Sequence, residues 1–178
     1  MSSTIRPDNL RAALDAKLAA AMSRLVELRE AEEPHVTPHL NPREVVAAFL
    51  LPARGVYEIA DTFGKAQVGG LQFNAWYEQW MTTLGDADRA LWNRLRDDRA
   101  RKDHGHGADF VDVEISVAAD PSISGHQSPH RARADVRKQL VRFAAEPNRA
   151  ASDVCADYLR LAKRFVDDFV RDHSRFLP

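Results

Sequence analysis

The sequence is poor in the residues that build several common kinds of site. Its 178 residues include one cysteine, Cys155, so an internal disulfide and a cysteine-based zinc site are both excluded. It has only 8 glycines, and no glycine-rich phosphate loop follows a predicted strand. No serine lies in the context of a nucleophile elbow. These absences disfavour nucleotide-binding enzymes with a glycine-rich phosphate loop and hydrolases with a nucleophile elbow.

Long apolar runs and an excess of charge of one sign are missing as well. No run of about 18 apolar residues occurs, and Asp8 and Asp15 interrupt the N-terminal segment. We therefore expect neither a membrane span nor a secretory signal, and take the cytoplasm as the default location. The 25 Lys and Arg residues nearly balance 26 Asp and Glu, which excludes a globally basic nucleic-acid binder but not a local basic stripe.

Apolar residues recur at helical spacing along most of the chain, and we expect one helical domain over residues 1–178. Gly64 is predicted to end the second helix, and KAQVGGLQ (residues 65–72) is predicted to be a loop. Ser152 is predicted to cap the last helix. The predicted helices span residues 8–31, 42–63, 73–84, 86–103 and 131–146, with a final helix from Ser152 through Val170.

One segment changes period and predicts a strand. Apolar residues alternate with polar ones from Val111 to Val117. Its partner could be the AQVGGLQF segment, a hairpin formed with the loop after Asp120, or the same strand of a second protomer; we favour the last, which makes a homodimer. Residues 118–130 are expected to form a mobile loop. The predicted fold class is therefore all-α, a bundle of about five to six helices with one short strand or hairpin after the fourth.

The sharpest local feature is LWNRLRDDRARKDHGHG, residues 91–107. Between Arg89 and Lys102 there are six cations and two acids, a local excess of four positive charges. Arginine binds phosphate with a bidentate fork, and histidine transfers protons near neutral pH. Together they suffice to cleave an RNA phosphodiester without a metal. The alternative is a solvated helix end whose cations favour the negative pole of the helix dipole.

This region resembles the HEPN superfamily, helical proteins that include many prokaryotic ribonucleases and toxins. EVVAAFLLPARGVYEIADTFG resembles the helix before the motif in one branch, and FNAWYEQWMTTLGDADRALWNRLRDDRARKDHG resembles the aromatic segment and motif that follow. The motif is an arginine, four to six residues, and a histidine. Arg99 with His104, Arg101 with His106, and Arg99 with His106 all satisfy it. A second alignment puts Arg96 at the arginine position, with seven residues between it and His104.

The resemblance implies a homodimer in which two motifs face one cleft, with an antitoxin as a further partner. Arg99 and His104 would then be catalytic, and the RNA-binding residues would be Arg96, Arg101, Lys102 and His106. The second hypothesis is a catalytically inactive helical protein that acts through dimer or partner contacts. The first hypothesis requires that Arg99 and His104 point into a cleft shared by two chains, and the second that they point into solvent.

Other candidate sites favour a structural interpretation. A metal could be held by His104 and His106 with the adjacent Asp103 and Asp109, and by His126 and His130 downstream. Ser128 and Pro129 disfavour a regular helix between the last two histidines, and no cysteine supports a closed site, so we expect no metal; we also expect no cofactor. Trp76, Tyr77, Trp80 and Trp92 could stack bases, but their helical spacing favours core packing. The stretch from Arg131 to Arg149 has six cations and two acids, and is predicted to be either an added RNA surface or a salt-bridged exterior.

Overall fold

The computed structural model describes residues 7–33, 41–103, 110–117 and 136–174. Helices dominate these residues, and two strands form a hairpin that follows the helix ending at Asp103. The elements, in chain order, are α1 (Pro7–Glu32), α2 (Pro42–Phe63), a π-helix (Gly64–Gly69), α3 (Gly70–Thr82), α4 (Asp86–Asp103), β1 (Phe110–Val117), β2 (Val136–Phe143) and α5 (Ala151–Asp172). The predicted mobile loop, residues 118–130, lies outside the described residues.

The predominantly helical fold is confirmed, but the number of helices is lower than predicted. α2 continues into the π-helix, and the chain then turns at Gly69 (φ 106°) into α3, so that the Tyr77 ring packs back on the Tyr57 ring at 5.2 Å between centroids. With α2, the π-helix and α3 taken as one helical segment, the described part of the chain has four separate helical segments, against the five to six helices predicted. The predicted loop over residues 65–72 is helical instead, apart from the turn at Gly69. Gly64 has ordinary helical dihedral angles, and a Cβ atom there would lie 2.2 Å from the Phe73 ring. α2 ends at Phe63 as predicted, but Gly64 keeps helical dihedral angles, begins the π-helix and permits close packing of Phe73.

The predicted helix over residues 131–146 is also wrong where the structure describes it. Residues 136–143 form β2, which pairs antiparallel with β1, with Val113 opposite Leu140 and Val117 opposite Val136. Val136, Leu140 and Phe143 are spaced as on a helix, but pairing with β1 satisfies the backbone of both segments. Because β1 has its partner within the chain, the argument for strand pairing across a two-fold axis no longer holds.

The core lies between all five α-helices, and where α2, α3, α4 and α5 meet it is rich in aromatic rings. Trp92, Phe165 and Phe49 are fully buried, and Phe165 lies 5.0 Å from the Trp80 ring centroid. The indole nitrogens of Trp76 and Trp80 donate hydrogen bonds of 3.0 Å to carboxylates of α5. The prediction that the aromatic residues pack in the core is thus confirmed, since each ring is buried or packs against the core cluster.

Glu32, the last residue of α1, connects three elements. Its carboxylate accepts hydrogen bonds from the backbone of Ala151 (2.9 Å) and Ser152 (3.3 Å) in the first turn of α5. It also accepts one from Arg142 of β2 at 2.9 Å, and the two side chains are 11% and 15% exposed. Ser152 is therefore not the N-cap as predicted. Ala150 holds that position without a side-chain bond, and Glu32 satisfies the free amides instead.

Candidate functional site

The structure places only part of the predicted Arg/His site. Arg99, Arg101 and Lys102 lie in the last turns of α4, beyond the side chains that the structure describes. His104 and His106 lie outside the described residues. Arg96 is the predicted site residue whose surroundings are defined. Since Arg99 follows it by three residues on the same helix, the two positions share one face of α4.

Arg96 lines a groove of about 270 Å³ between α2, α4 and α5. Tyr158 of α5 closes the buried side of the groove, and Arg96 of α4 forms one wall. One face of α2 supplies the rest of the lining, which consists of Arg54, Tyr57, Glu58, Asp61 and Thr62. The groove therefore combines two guanidinium groups, two carboxylates and three hydroxyls around one small volume.

Arg96 is held in place by tyrosines. Its Nη1 donates a 2.8 Å hydrogen bond to the hydroxyl of Tyr77, which also accepts a 2.8 Å bond from the indole nitrogen of Trp92. Its guanidinium carbon lies 5.6 Å from the Tyr57 ring centroid and 5.5 Å from that of Tyr77. Contacts at these distances are cation–π interactions. The arginine is thus oriented before any ligand arrives, which lowers the entropic cost of using it to bind one.

The carboxylates of the groove lie along α2. Asp61 accepts a 2.8 Å hydrogen bond from Lys65, one turn further on, which fixes the orientation of its carboxylate. Glu58 is exposed, and Arg54 precedes it by one turn. Cationic and acidic groups therefore alternate across the groove, so the site is suited to a ligand that carries both an anionic group and hydrogen-bond donors.

The tyrosine hydroxyls of the groove remain protonated at neutral pH. Burial raises the pKa of Tyr57 to about 12, and the nearby Asp61 carboxylate acts in the same direction. Arg96 opposes this shift without overcoming it. Burial likewise raises the pKa of Tyr158 above its ordinary value. Both hydroxyls can donate or accept hydrogen bonds to a ligand, but neither is a base near pH 7.

Most other described cations of the two basic stretches are already paired inside the protein. Arg89 donates to the carbonyls of Met81 (3.1 Å) and Leu84 (3.0 Å) at the end of α3. Arg94 pairs with Glu146, as does Arg149, which also contacts Asp157 at 2.7 Å. Arg142 bonds to Glu32 in a nearly buried pair, so the second basic stretch is held by carboxylates of the chain, although not by the acidic end of α5.

The single cysteine plays no part in the groove's polar chemistry. Cys155 is fully buried, as its position on the apolar side of α5 predicts. Burial raises the pKa of its thiol well above the usual value, so it stays protonated and unreactive.

Among the described residues, no three His, Cys, Asp or Glu side chains form a group that could hold a metal ion. No described helix has the length and apolarity needed to cross a bilayer.

The comparisons with known proteins add no family to this picture. No protein-family model, curated protein or solved structure matches the chain. The HEPN resemblance therefore stays a prediction that depends on the motif and the aromatic segment. Sequence reasoning missed the α2 side of the groove, although Arg54, Glu58 and Asp61 form a polar stripe at helical spacing on an otherwise apolar helix.

Proposed function

We propose that the chain is a HEPN-like, homodimeric, RNA-binding protein and a metal-independent endoribonuclease of the cytoplasm. The observation that carries this proposal is the position of Arg96. It is oriented at the wall of a groove by Tyr57 and Tyr77, and the catalytic candidate Arg99 follows on the same face of α4. A preoriented arginine next to a basic helix end is suited to binding the phosphate backbone of RNA.

The proposed reaction is an internal transesterification of RNA. His104 takes the proton of a ribose 2′-hydroxyl, whose oxygen attacks the adjacent phosphorus and forms a bond to it. The bond from phosphorus to the 5′-oxygen breaks, and that oxygen takes a proton from the His of the second protomer. Arg99 stabilises the charge that develops on the phosphate oxygens. Because DNA has no 2′-hydroxyl, it should not be cleaved.

The homodimer is part of the proposal because one chain supplies only one Arg/His pair to a cleft. Its support is now the resemblance alone, since β1 is paired with β2 within the chain. Light scattering at micromolar concentration should report twice the 20.0 kDa mass of the chain. A mass of one chain would contradict the shared cleft. An antitoxin that covers the basic end of α4 is a further proposed partner.

The catalytic assignment is tested by RNA cleavage in the presence of a chelator. We expect the wild type to cut single-stranded RNA and His104→Ala and Arg99→Ala to lose at least about 100-fold in rate, as loss of a general acid or base does. His39→Ala and Arg24→Ala are matched controls, since neither residue belongs to the motif, and both should retain the wild-type rate. Equal cleavage by wild type and His104→Ala would overturn the assignment.

The second candidate is a catalytically inactive helical protein that acts through dimer or partner contacts. The pairing of Arg94, Arg142 and Arg149 with carboxylates favours it, because these cations serve the fold itself. This candidate predicts that the wild type leaves RNA intact under all conditions. If the wild type binds RNA without cutting it, and Arg96 is required for that binding, only the RNA-binding part of the first proposal stands.

A further inference from the structure

The groove lined by α2 has two ends of different chemistry. Arg54 and Asp61 are seven residues apart on α2, so about 10 Å of helix separates their positions. Arg96 and Tyr57 lie between them, since the guanidinium of Arg96 packs over the Tyr57 ring. The Arg54 end therefore offers guanidinium donors, and Glu58, Asp61 and Thr62, further along α2, offer oxygen acceptors. Of the two carboxylates, Asp61 already accepts a hydrogen bond from Lys65.

A ligand of matching chemistry carries an anion at one point and hydroxyl or amino donors a few ångströms away. Guanidinium groups bind a phosphate oxygen through charge-assisted hydrogen bonds. Carboxylates accept hydrogen bonds from ribose hydroxyls, as acidic residues do in dinucleotide-binding sites. A volume of about 270 Å³ holds a ligand of roughly the size of one nucleotide, and not a folded RNA element.

We propose that this groove binds one nucleotide unit of RNA, with a phosphate oxygen on Arg54 and Arg96 and the ribose 2′-hydroxyl on Glu58. The inference rests on the proposed function in taking its ligand from RNA, but it assigns binding to residues outside the Arg/His motif. Glu58 becomes the residue that distinguishes RNA from DNA, because only the ribose unit carries the donor that its carboxylate accepts. Tyr77 and Tyr57 are positioning residues, since they act by orienting Arg96.

The test is equilibrium binding of a ribodinucleotide monophosphate and its 2′-deoxy analogue by calorimetry, in the presence of a chelator. Protein carrying His104→Ala is used so that the probe is not consumed. We expect the ribose form to bind about tenfold more tightly than the deoxy form, the size of one charged hydrogen bond. Glu58→Gln should remove most of that preference, whereas Glu78→Gln, a matched exposed acid on α3, should leave it unchanged.

The arginine end is tested by the same measurement. Arg54→Gln should weaken both probes about tenfold, and Arg24→Ala on α1 should not. Arg96→Lys keeps the positive charge but loses the planar guanidinium, so it should also weaken binding of both probes. This variant can be measured if Arg96→Ala does not fold. Unchanged thermal unfolding temperatures confirm that each variant is folded.

Several results would overturn the inference. Equal affinity for the ribose and deoxy probes would remove the role of Glu58, and unchanged binding by Arg54→Gln would remove the phosphate end. Tighter binding of a free amino acid, which also carries both charges, would assign the groove to a zwitterion instead. Failure of the endoribonuclease proposal can be distinguished from failure of this inference. A chain that never cuts RNA, but prefers the ribose probe only when Glu58 is present, would contradict the nuclease and support the groove assignment.

Discussion

Two groups of arginines with equal formal charge differ in what holds them. The carboxylate-bound arginines, Arg94, Arg142 and Arg149, are paired with Glu32, Glu146 or Asp157. The groove arginines, Arg54 and Arg96, line a cavity, and Arg96 is oriented by the Tyr77 hydroxyl and two tyrosine rings. The carboxylate contacts of the first group tie separate elements of the fold together, whereas the contacts of Arg96 with Tyr57 and Tyr77 orient its guanidinium at the wall of the groove.

The difference shows why a count of charges along the sequence does not locate a binding surface. Each basic stretch carries six cations and two acids. The partner of Arg142 is 110 residues away in the chain, and the partner of Arg94 is 52 residues away. Only the folded chain shows which cations are neutralised. The following predictions test whether the carboxylate-bound group stabilises the fold and the groove group binds the ligand.

The largest expected effect is on stability at Glu32. Replacing it with alanine leaves Arg142 buried without its partner and exposes two unsatisfied amides at the start of α5. Breaking a buried ion pair in this way costs about 3–5 kcal/mol of unfolding free energy. Urea unfolding measures it, with Glu27→Ala as the control, because the exposed Arg24–Glu27 pair should contribute less than about 1 kcal/mol. Similar losses of unfolding free energy in Glu32→Ala and Glu27→Ala would show that the contacts of Glu32 stabilise the fold no more than an exposed ion pair does.

A smaller effect is expected in the salt dependence of RNA binding. If Arg54, Arg96 and one further cation of α4 contact phosphates, the affinity for single-stranded RNA should fall roughly tenfold between about 50 and 200 mM salt. Arg96→Lys should reduce the slope of log affinity against log salt by less than about one, because it keeps its charge, while Arg96→Ala should reduce it by about one. Binding that is indifferent to salt would contradict a phosphate contact at the groove.

The smallest effect concerns the acid dependence of stability at Glu146. Burial raises the pKa of this carboxyl, but hydrogen bonds and charge interactions with Arg94 and Arg149 outweigh burial and lower the pKa below its ordinary value of 4.5. A depressed pKa stabilises the fold above pH 4.5, and the contribution is lost as the pH falls through the folded-state pKa.

Glu146→Gln should therefore lose less stability than the wild type when the pH is lowered from about 6 to about 3. Urea midpoints at the two pH values measure the difference. Glu78→Gln is the control, since Glu78 lies exposed on α3 away from these arginines. If wild type and Glu146→Gln lose the same stability, the carboxylate is not paired in solution as the structure shows.

The sequence predicted the elements whose signals are local. The helices at residues 8–31 and 42–63 and the strand from Val111 to Val117 agree with α1, α2 and β1 to within a residue or two. It failed where a distant contact decides the conformation. Residues 136–143 have helical spacing, but they form a strand because they pair with β1.

The candidate site, too, could be predicted only where its signal is local in the sequence. Arg96 was predicted as an RNA-binding residue from the basic stretch of α4, and the structure places it in the groove. Glu58 and Tyr158 could not be assigned to the same site, because they are 100 residues apart and only the packing of α2 on α5 brings them together. A polar stripe on one helix indicates a surface, but its partner helix decides whether that surface is a groove.

The division between the two groups of arginines is tested most directly by one binding measurement. Fluorescence anisotropy with labelled single-stranded RNA, at one salt concentration, compares the wild type with Arg96→Lys and Arg149→Ala. Both variants must first show wild-type far-ultraviolet circular dichroism. We expect Arg96→Lys to bind several-fold to about tenfold more weakly and Arg149→Ala to bind like the wild type, because Arg149 is paired with Glu146 and Asp157. Equal losses in both variants, or a loss only in Arg149→Ala, would contradict the account.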